Sequence, residues 1–362
     1  MITRRAFLGL AIATPALANA TAASPAMAAA VRAGDRTSMC LAYTSFAVRM
    51  LQGRDILKST AAALPAEALF DLCEKFGANG AQLDWSQIVS FEPPALEALR
   101  KRVDDSRLAL ELSVPSKYLE TPEAYAEMVR VASALGVTRI RVALLYGRRY
   151  ETFTTRDEWT SWAAKWRTTL VSMRKTFEAS PIIVGIENHK DWHAQELVEL
   201  LTLVGSPKVG ACVDFGNNIS LLESPLETVK ALAPYAVTTH LKDMAVKPTA
   251  EGFGLSEVPL GEGFLPLAEI IATLRAQRPD VPMCLEMITR DPLPVPYKTD
   301  RYWVAIDRPS PDVLTRFEQE VLGKAWTRDL PTITGLSPEA QVAAEDENVR
   351  TSVDYARRTL KL

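Results

Sequence analysis

Histidine is scarce in this chain, at three of 362 residues: His189, His193 and His240. Imidazole-rich metal sites are excluded by that count. His189 and His193 stand four apart, but no H-E-x-x-H glutamate lies between them, which argues against a zinc-protease helix. Cysteine is nearly as sparse. Cys40, Cys73, Cys212 and Cys284 form no CxxC pair and no dense framework, so small buried apolar residues is their ordinary reading. Cys212 and Cys284 each stand two residues before an acidic strand end, on the same strand face, which keeps a disulfide or a thiolate ligand as the alternative. No basic block occurs: 41 Lys and Arg face 44 Asp and Glu, for a formal charge of −3. Nucleic-acid and anionic-membrane binding are therefore not suggested. Neither an arginine cluster nor a glycine-rich fingerprint after the first strand is present, which argues against a phosphate cradle and a dinucleotide-binding sheet. No apolar run reaches the roughly 20 residues that span a bilayer.

What is present begins with an export layout. Residues 1–28 carry Arg4 and Arg5 side by side, a moderately apolar stretch, and an Ala26-Met27-Ala28 ending of the A-x-A type. The arginine pair followed by Ala-Phe-Leu resembles a twin-arginine signal. The expectation is a periplasmic or otherwise exported protein that meets the twin-arginine machinery and keeps no membrane anchor after cleavage. Cleavage after Ala28 removes two arginines and takes the charge from −3 to −5. Such export carries folded proteins, often with a cofactor loaded, which hints at a metal. A small-residue linker (29–38) follows.

With 48% hydrophobic residues the chain can bury a large core, and α/β barrels run to about 250 residues as one unit. Strand-like runs such as "GAQLDW", "IIVGIEN" and "VGACVDF" alternate with amphipathic stretches such as "PAEALFDLCEKFG". Eight such alternations predict an α/β fold, a (β/α)₈ TIM barrel over 39–325 with a C-terminal helical extension over 326–362. The proline-rich stretch from Asp291 follows the last strand and is expected over the barrel mouth, as a lid, a pocket wall or a plain connection.

Four successive strands, the fifth to the eighth, end in Glu187, Asp214, His240 and Glu286. In a barrel those C-terminal ends converge at the mouth. A carboxylate such as Glu187, at the end of a buried strand, costs several kcal/mol, roughly, unless a cation or hydrogen bonds compensate it. Three carboxylates and one imidazole make a hard site that suits one divalent ion, Mn²⁺ first, with Mg²⁺, Co²⁺ and Zn²⁺ as alternatives.

In order, "GIENH", "CVDFGNN", "HLKDM", "PLGEGFLPL" and "CLEM" resemble the xylose-isomerase-like barrel superfamily, which includes sugar phosphate isomerases/epimerases and ketose 3-epimerases. The resemblance implies Glu187, Asp214, His240 and Glu286 as metal ligands and Glu187 and Glu286 as the acid/base pair. It implies Lys242 near a substrate oxygen, with pairing to Asp243 as the plain alternative. Asn217 lies where related epimerases carry a substrate-contacting histidine. Asn188 and His189, beside Glu187, are candidates to orient it or touch substrate. His193 reads as a solvated loop residue, Glu262 as a loop-holding one, and Trp85 and Tyr43 as core or pocket wall. Members of the superfamily commonly form homodimers or homotetramers.

Three functions are then open. The first is a metal-dependent isomerase or epimerase moving a proton through an enediolate on an unphosphorylated sugar. The second is a lyase or hydrolase cleaving 3-keto-glycosides by β-elimination at the same site. A non-catalytic sugar-binding barrel is the third, disfavoured by the intact ligand set.

Overall fold

In the computed structural model, which describes residues 37–51 and 64–362, the apolar runs form one all-parallel sheet. Its first seven strands are β1 (Thr37–Ala42), β2 (Ala78–Asp84), β3 (Ala109–Ser113), β4 (Arg139–Val142), β5 (Ile183–Glu187), β6 (Val209–Asp214) and β7 (Ala236–His240). A hairpin of β8 (Asp243–Pro248) and β9 (Phe253–Val258) then leaves the sheet. The eighth barrel strand is β10 (Cys284–Leu285), and β11 (Leu293–Val295) follows. The sheet order is β10-β1-β2-β3-β4-β5-β6-β7. The ring closes through Leu241, whose N–H donates to Cys284 O (2.7 Å) and whose carbonyl accepts from Glu286 N–H (2.9 Å). This is the TIM barrel predicted from the alternation. The signal-like residues 1–28 and linker residues 29–36 lie outside the described residues, and Thr37 and Ser38 already belong to β1.

The helices are α1 (Ala47–Leu51), α2 (Ala66–Phe76), α3 (Pro93–Ser106), α4 (Pro122–Ala134), α5 (Arg149–Thr152) and α6 (Arg156–Ser172). They continue with α7 (Arg174–Glu178), α8 (Ala194–Val204), α9 (Pro225–Leu232), α10 (Leu267–Gln277), α11 (Pro311–Val321) and α12 (Pro338–Tyr355). Local chemistry sets their limits. Thr155 caps α6 by accepting from Glu158 N–H (3.2 Å), while Glu158 reaches back to Thr155 N–H (3.2 Å). In α2, Leu69, Phe70, Cys73 and Phe76 form the buried stripe. Gly210 in β6 admits no side chain, because a Cβ there would lie 2.4 Å from Tyr235 O. Among the described residues no helix is long and apolar enough to cross a membrane.

One feature differs from the sequence reading. The stretch after His240 holds the β8–β9 hairpin, which β11 joins as a second, three-stranded antiparallel sheet. Its residues are buried on successive positions and lack the two-residue alternation that marks a half-exposed strand. The proline-rich stretch from Asp291 is thereby a wall of the mouth, with Tyr150 OH donating to Pro294 O (3.0 Å) and Tyr302 OH to Ser220 O (2.8 Å). The C-terminal helix α12 docks against α1 and α2: Glu345 on it accepts from Val48 N–H (2.6 Å) and pairs with Arg49 (2.5 Å). Its Val349, Val353 and Ala356 are buried.

Candidate metal centre and active site

The strand ends converge as the topology requires. Val184, Gly185 and Ile186 are buried, and Glu187 ends β5 with no exposed surface. Asp214 and His240 stand side by side in register on β6 and β7. Glu286 follows β10. One ligand atom from each of these four residues lies within 4.8 Å of the others.

His240 sits at the centre. Its Nδ1 is 3.4 Å from Glu187 Oε1, 3.8 Å from Asp214 Oδ2 and 3.5 Å from Glu286 Oε2. On the far side of the ring, Nε2 meets Gln82 Oε1 at 2.8 Å. Since that oxygen can only accept, Nε2 carries a proton and the neutral ring presents its lone pair at Nδ1. Gln82 is oriented in turn by Glu111 (3.4 Å), which accepts from Thr238 Oγ1 (2.8 Å). Burial opposes protonation of His240, yet Glu286 and Glu187 raise its pKa to about 9.

Each carboxylate is held separately. Glu187 Oε2 accepts from Arg141 Nε and its Oε1 from Asn217 Nδ2 (2.9 Å). Arg141 is itself buried and donates to Ser113 Oγ (3.0 Å). Burial opposes ionisation of Glu187, but Arg141 and His240 hold its carboxyl well below the usual range. Glu286 accepts from Thr44 Oγ1 (3.0 Å) and Lys242 Nζ (2.5 Å); against burial, His240 and Lys242 keep it well below the usual range. Asp214 Oδ1 accepts from the N–H groups of Gly216 (2.9 Å) and Asn217 (2.7 Å). Its Oδ2 has Lys242 Nζ at 2.8 Å as an ion pair but makes no hydrogen bond, and burial raises its pKa.

These residues fit a divalent cation. Two buried atoms of the cluster, His240 Nδ1 and Asp214 Oδ2, have no hydrogen-bond partner. An imidazole lone pair facing three carboxylate oxygens is unfavourable unless a proton or a metal ion lies between them. Cys212 is buried and unbonded to another cysteine, like Cys40, Cys73 and Cys284, and comes near Glu187 and His240.

A cavity of about 280 Å³ opens beside the cluster, bordered by Tyr43, Arg141, His189, Lys190, Glu286 and Arg290. His189 belongs to it. The ring bonds Leu145 O through Nδ1 (2.8 Å), and burial lowers its pKa to about 3, so it is a neutral contact. Asn188 does not border the cavity: its amide donates to Asp214 O (2.9 Å) and accepts from Asp214 N–H (2.8 Å), pinning β5 to β6. Asn217 is buried behind Glu187. Lys242 pairs with Asp214 and Glu286 rather than with Asp243. The loop-holding role expected of Glu262 falls instead to Asp243. Its carboxylate accepts from Met244 (2.9 Å), Gly261 (2.9 Å), Gly263 (3.0 Å) and Leu265 (3.1 Å) N–H groups. A Cβ at Gly263 would lie 2.1 Å from Asp243 Oδ1, so the motif needs glycine there. Glu262 reaches Arg328 (3.3 Å) on the surface. His193 starts α8 near Glu223 (3.5 Å), away from the cavity, and Trp85 packs on Phe91 and Tyr118.

Four residues the sequence reading passed over shape the site: Arg141, Gln82, Lys190 and Arg148. Arg141 had a signal, an arginine within a strand that must be buried on both faces. Folding brings Arg290 to the cavity that Arg141 and Arg148, from β4 and the loop after it, also border.

A sequence model of the family described as xylose isomerase-like TIM barrel matches residues 70–306. A 3-oxo-isoapionate decarboxylase from Pectobacterium atrosepticum is 27% identical over 222 residues, 60% of this chain and 76% of the relative. Among solved structures, a D-psicose 3-epimerase superposes with TM-score 0.58 at 16% identity, covering 89% of this chain and 99% of its own. A xylose isomerase-like TIM barrel protein from Mycobacterium smegmatis gives 0.53 at 17%, covering 79% and 99%.

Proposed function

Because this chain belongs to the xylose isomerase-like TIM barrel family, we propose that it is a sugar-processing enzyme, a divalent-metal-dependent isomerase or epimerase of an unphosphorylated sugar. One observation carries the reading: the unpartnered His240 Nδ1 lies among the carboxylates of Glu187, Asp214 and Glu286. These four residues would hold the ion. A magnesium complex among the similar structures supports a hard divalent ion, with Mn²⁺, Co²⁺ and Zn²⁺ compatible with the donor set. When bound, the ion supplies Lewis-acid polarisation of a sugar carbonyl and its neighbouring hydroxyl, which acidifies the adjacent C–H.

The chain's own residues do the rest. Glu187 is the base, kept ionised by Arg141 and oriented by Asn217. Glu286, on the strand three positions further along the chain, is the partner that returns the proton. Lys242, in hydrogen-bond contact with it at 2.5 Å, orients that carboxylate. Burial of both carboxylates excludes competing water. The names of similar epimerase structures support the proton-transfer reading.

A second reading is favoured by the relative named for decarboxylation of a 3-oxo acid. There the bond to the carboxylate carbon breaks, CO₂ leaves, the electron pair enters an enolate, and Glu286 or Lys242 protonates the carbon. β-Elimination of an aglycone from a 3-keto-glycoside would instead form its enolate by transfer of the C2 proton to Glu187, and the electron pair would then expel the aglycone. Arg4, Arg5 and the Ala26-Met27-Ala28 ending support export through the twin-arginine route.

The test is to measure metal content of the chain starting at Ala29 and to follow unphosphorylated ketoses and 3-keto-glycosides by NMR in D₂O. Deuterium entering an intact sugar, and lost in Glu187→Gln, is the expected result. Aglycone or CO₂ release would select the second reading. A metal-free protein inert to both panels would refute the site.

A further inference from the structure

Lys190 is a buried cation with no carboxylate in direct contact. It is 6% exposed and borders the cavity. Its Nζ donates to Asn217 Oδ1, and among the described residues no carboxylate pairs with it. The backbone there has φ 69°, a left-handed conformation that side-chain-bearing residues rarely adopt. Its carbonyl accepts from Arg149 N–H (3.0 Å), which anchors the turn in place. The chain thus holds a strained lysine at the cavity edge without giving it a contacting counter-ion.

The neighbouring cations are different. Arg141 is matched by Glu187, Arg290 by Glu257 (2.5 Å), and Arg148 by Glu151 (2.6 Å). Arg148 nevertheless keeps a buried Nη1 with no hydrogen-bond partner, and it borders the same cavity. The wall therefore presents one cation with no carboxylate in direct contact and the unused donors of two nitrogens, Lys190 Nζ and Arg148 Nη1.

We propose that Lys190 and Arg148 bind a carboxylate carried by the substrate, so that the sugar is an acid of the keto-aldonic or uronic class. This rests on the enolising site proposed above. A monoanion matches one cation without a carboxylate in contact, whereas a phosphate ester brings up to two charges and three acceptor oxygens. Asn217 fixes where the carboxylate sits. It holds Lys190 through Oδ1 and Glu187 through Nδ2 (2.9 Å), so the anion lies one side chain from the proton-transfer glutamate. The acid group is accordingly close to the carbon that ionises.

The test is calorimetric binding to the full chain from Ala29 loaded with Mn²⁺, at fixed ionic strength. D-Gluconate, D-glucitol and D-glucitol 1-phosphate share a carbon skeleton and differ only in the group at C1. Gluconate should bind at least about tenfold tighter than glucitol, the value of one charge-assisted hydrogen bond. Lys190→Met should erase that preference with glucitol binding changed less than about twofold. Lys190→Arg, which keeps the charge should Lys190→Met fail to fold, should retain most of it, and Arg148→Gln should lose part. Equal binding of gluconate and glucitol by the unsubstituted chain overturns the proposal. So does a preference that survives Lys190→Met, or a phosphate ester bound most tightly. Deuterium exchange lost in Glu187→Gln is read separately: exchange without a carboxylate preference sinks only this inference, and a preference without exchange sinks only the isomerase reading.

Discussion

Replacing Arg141 by methionine removes the charge that allows Glu187 to be buried. In the native chain Glu187 has no exposed surface, Arg141 is 2% exposed, and their ion pair is backed by Ser113 (3.0 Å). Losing one partner of a buried pair costs about 3–5 kcal/mol. Asn217 and the nearby His240 remain to Glu187, so the lower end, about 3 kcal/mol, is expected. Against a total stability of about 5–15 kcal/mol that is a large fraction. The pH dependence follows from the depressed Glu187 carboxyl. Its stabilisation is present above the unfolded carboxylate value of about 4.3 and is lost as pH falls through the folded value. The deficit of Arg141→Met should therefore be full at pH 7 and shrink only as pH falls below about 4.3. The assay is urea unfolding of chelator-treated protein, followed by tryptophan fluorescence, for both single variants and the pair Arg141→Met with Glu187→Gln. The pair should recover about 2 kcal/mol relative to the sum of the singles. A loss below about 1 kcal/mol for Arg141→Met, or strict additivity of the pair, would refute the assignment of Arg141 as the compensating charge.

Other perturbations test the rest of the site. Gln82→Leu removes the acceptor that holds the His240 tautomer and should weaken Mn²⁺ binding by about 10–100-fold in calorimetric titration; unchanged affinity would remove Gln82 from the metal's support. In metal-free protein the imidazolium of His240, with its pKa raised to about 9, adds stability that is fully present below about 6.5 and lost as pH rises through about 9. Urea midpoints from pH 6 to 10 should fall across that window in the native chain and stay flatter in His240→Gln. Asp243→Ala leaves four backbone N–H groups without their acceptor and should cost about 3 kcal/mol, whereas Asp243→Asn keeps one acceptor oxygen and should cost about 1. Equal thermal shifts for the two variants would contradict that account.

The barrel and the meeting of four polar strand ends were legible because of what buried parallel strands demand. A strand covered on both faces reads as an unbroken apolar run, so a carboxylate or imidazole at its end stands out, and the fold brings consecutive strand ends together. That logic alone placed Glu187, Asp214, His240 and Glu286, and local caps and stripes placed the helices. The partners of those residues were not legible. Arg141 meets Glu187 across 46 residues, Gln82 meets His240 across 158, and Arg49 meets Glu345 across 296. No periodicity links such pairs. The β8–β9 hairpin escaped for a related reason: both its faces are covered, so its alternation is erased. Composition and spacing determined the architecture and the hard, oxygen-rich character of the centre. Only the closed barrel decided which cation neutralises each buried carboxylate and left Lys190 without a carboxylate in contact, because charge compensation in a low-dielectric interior depends on distances of a few ångströms, and the ring sets those distances.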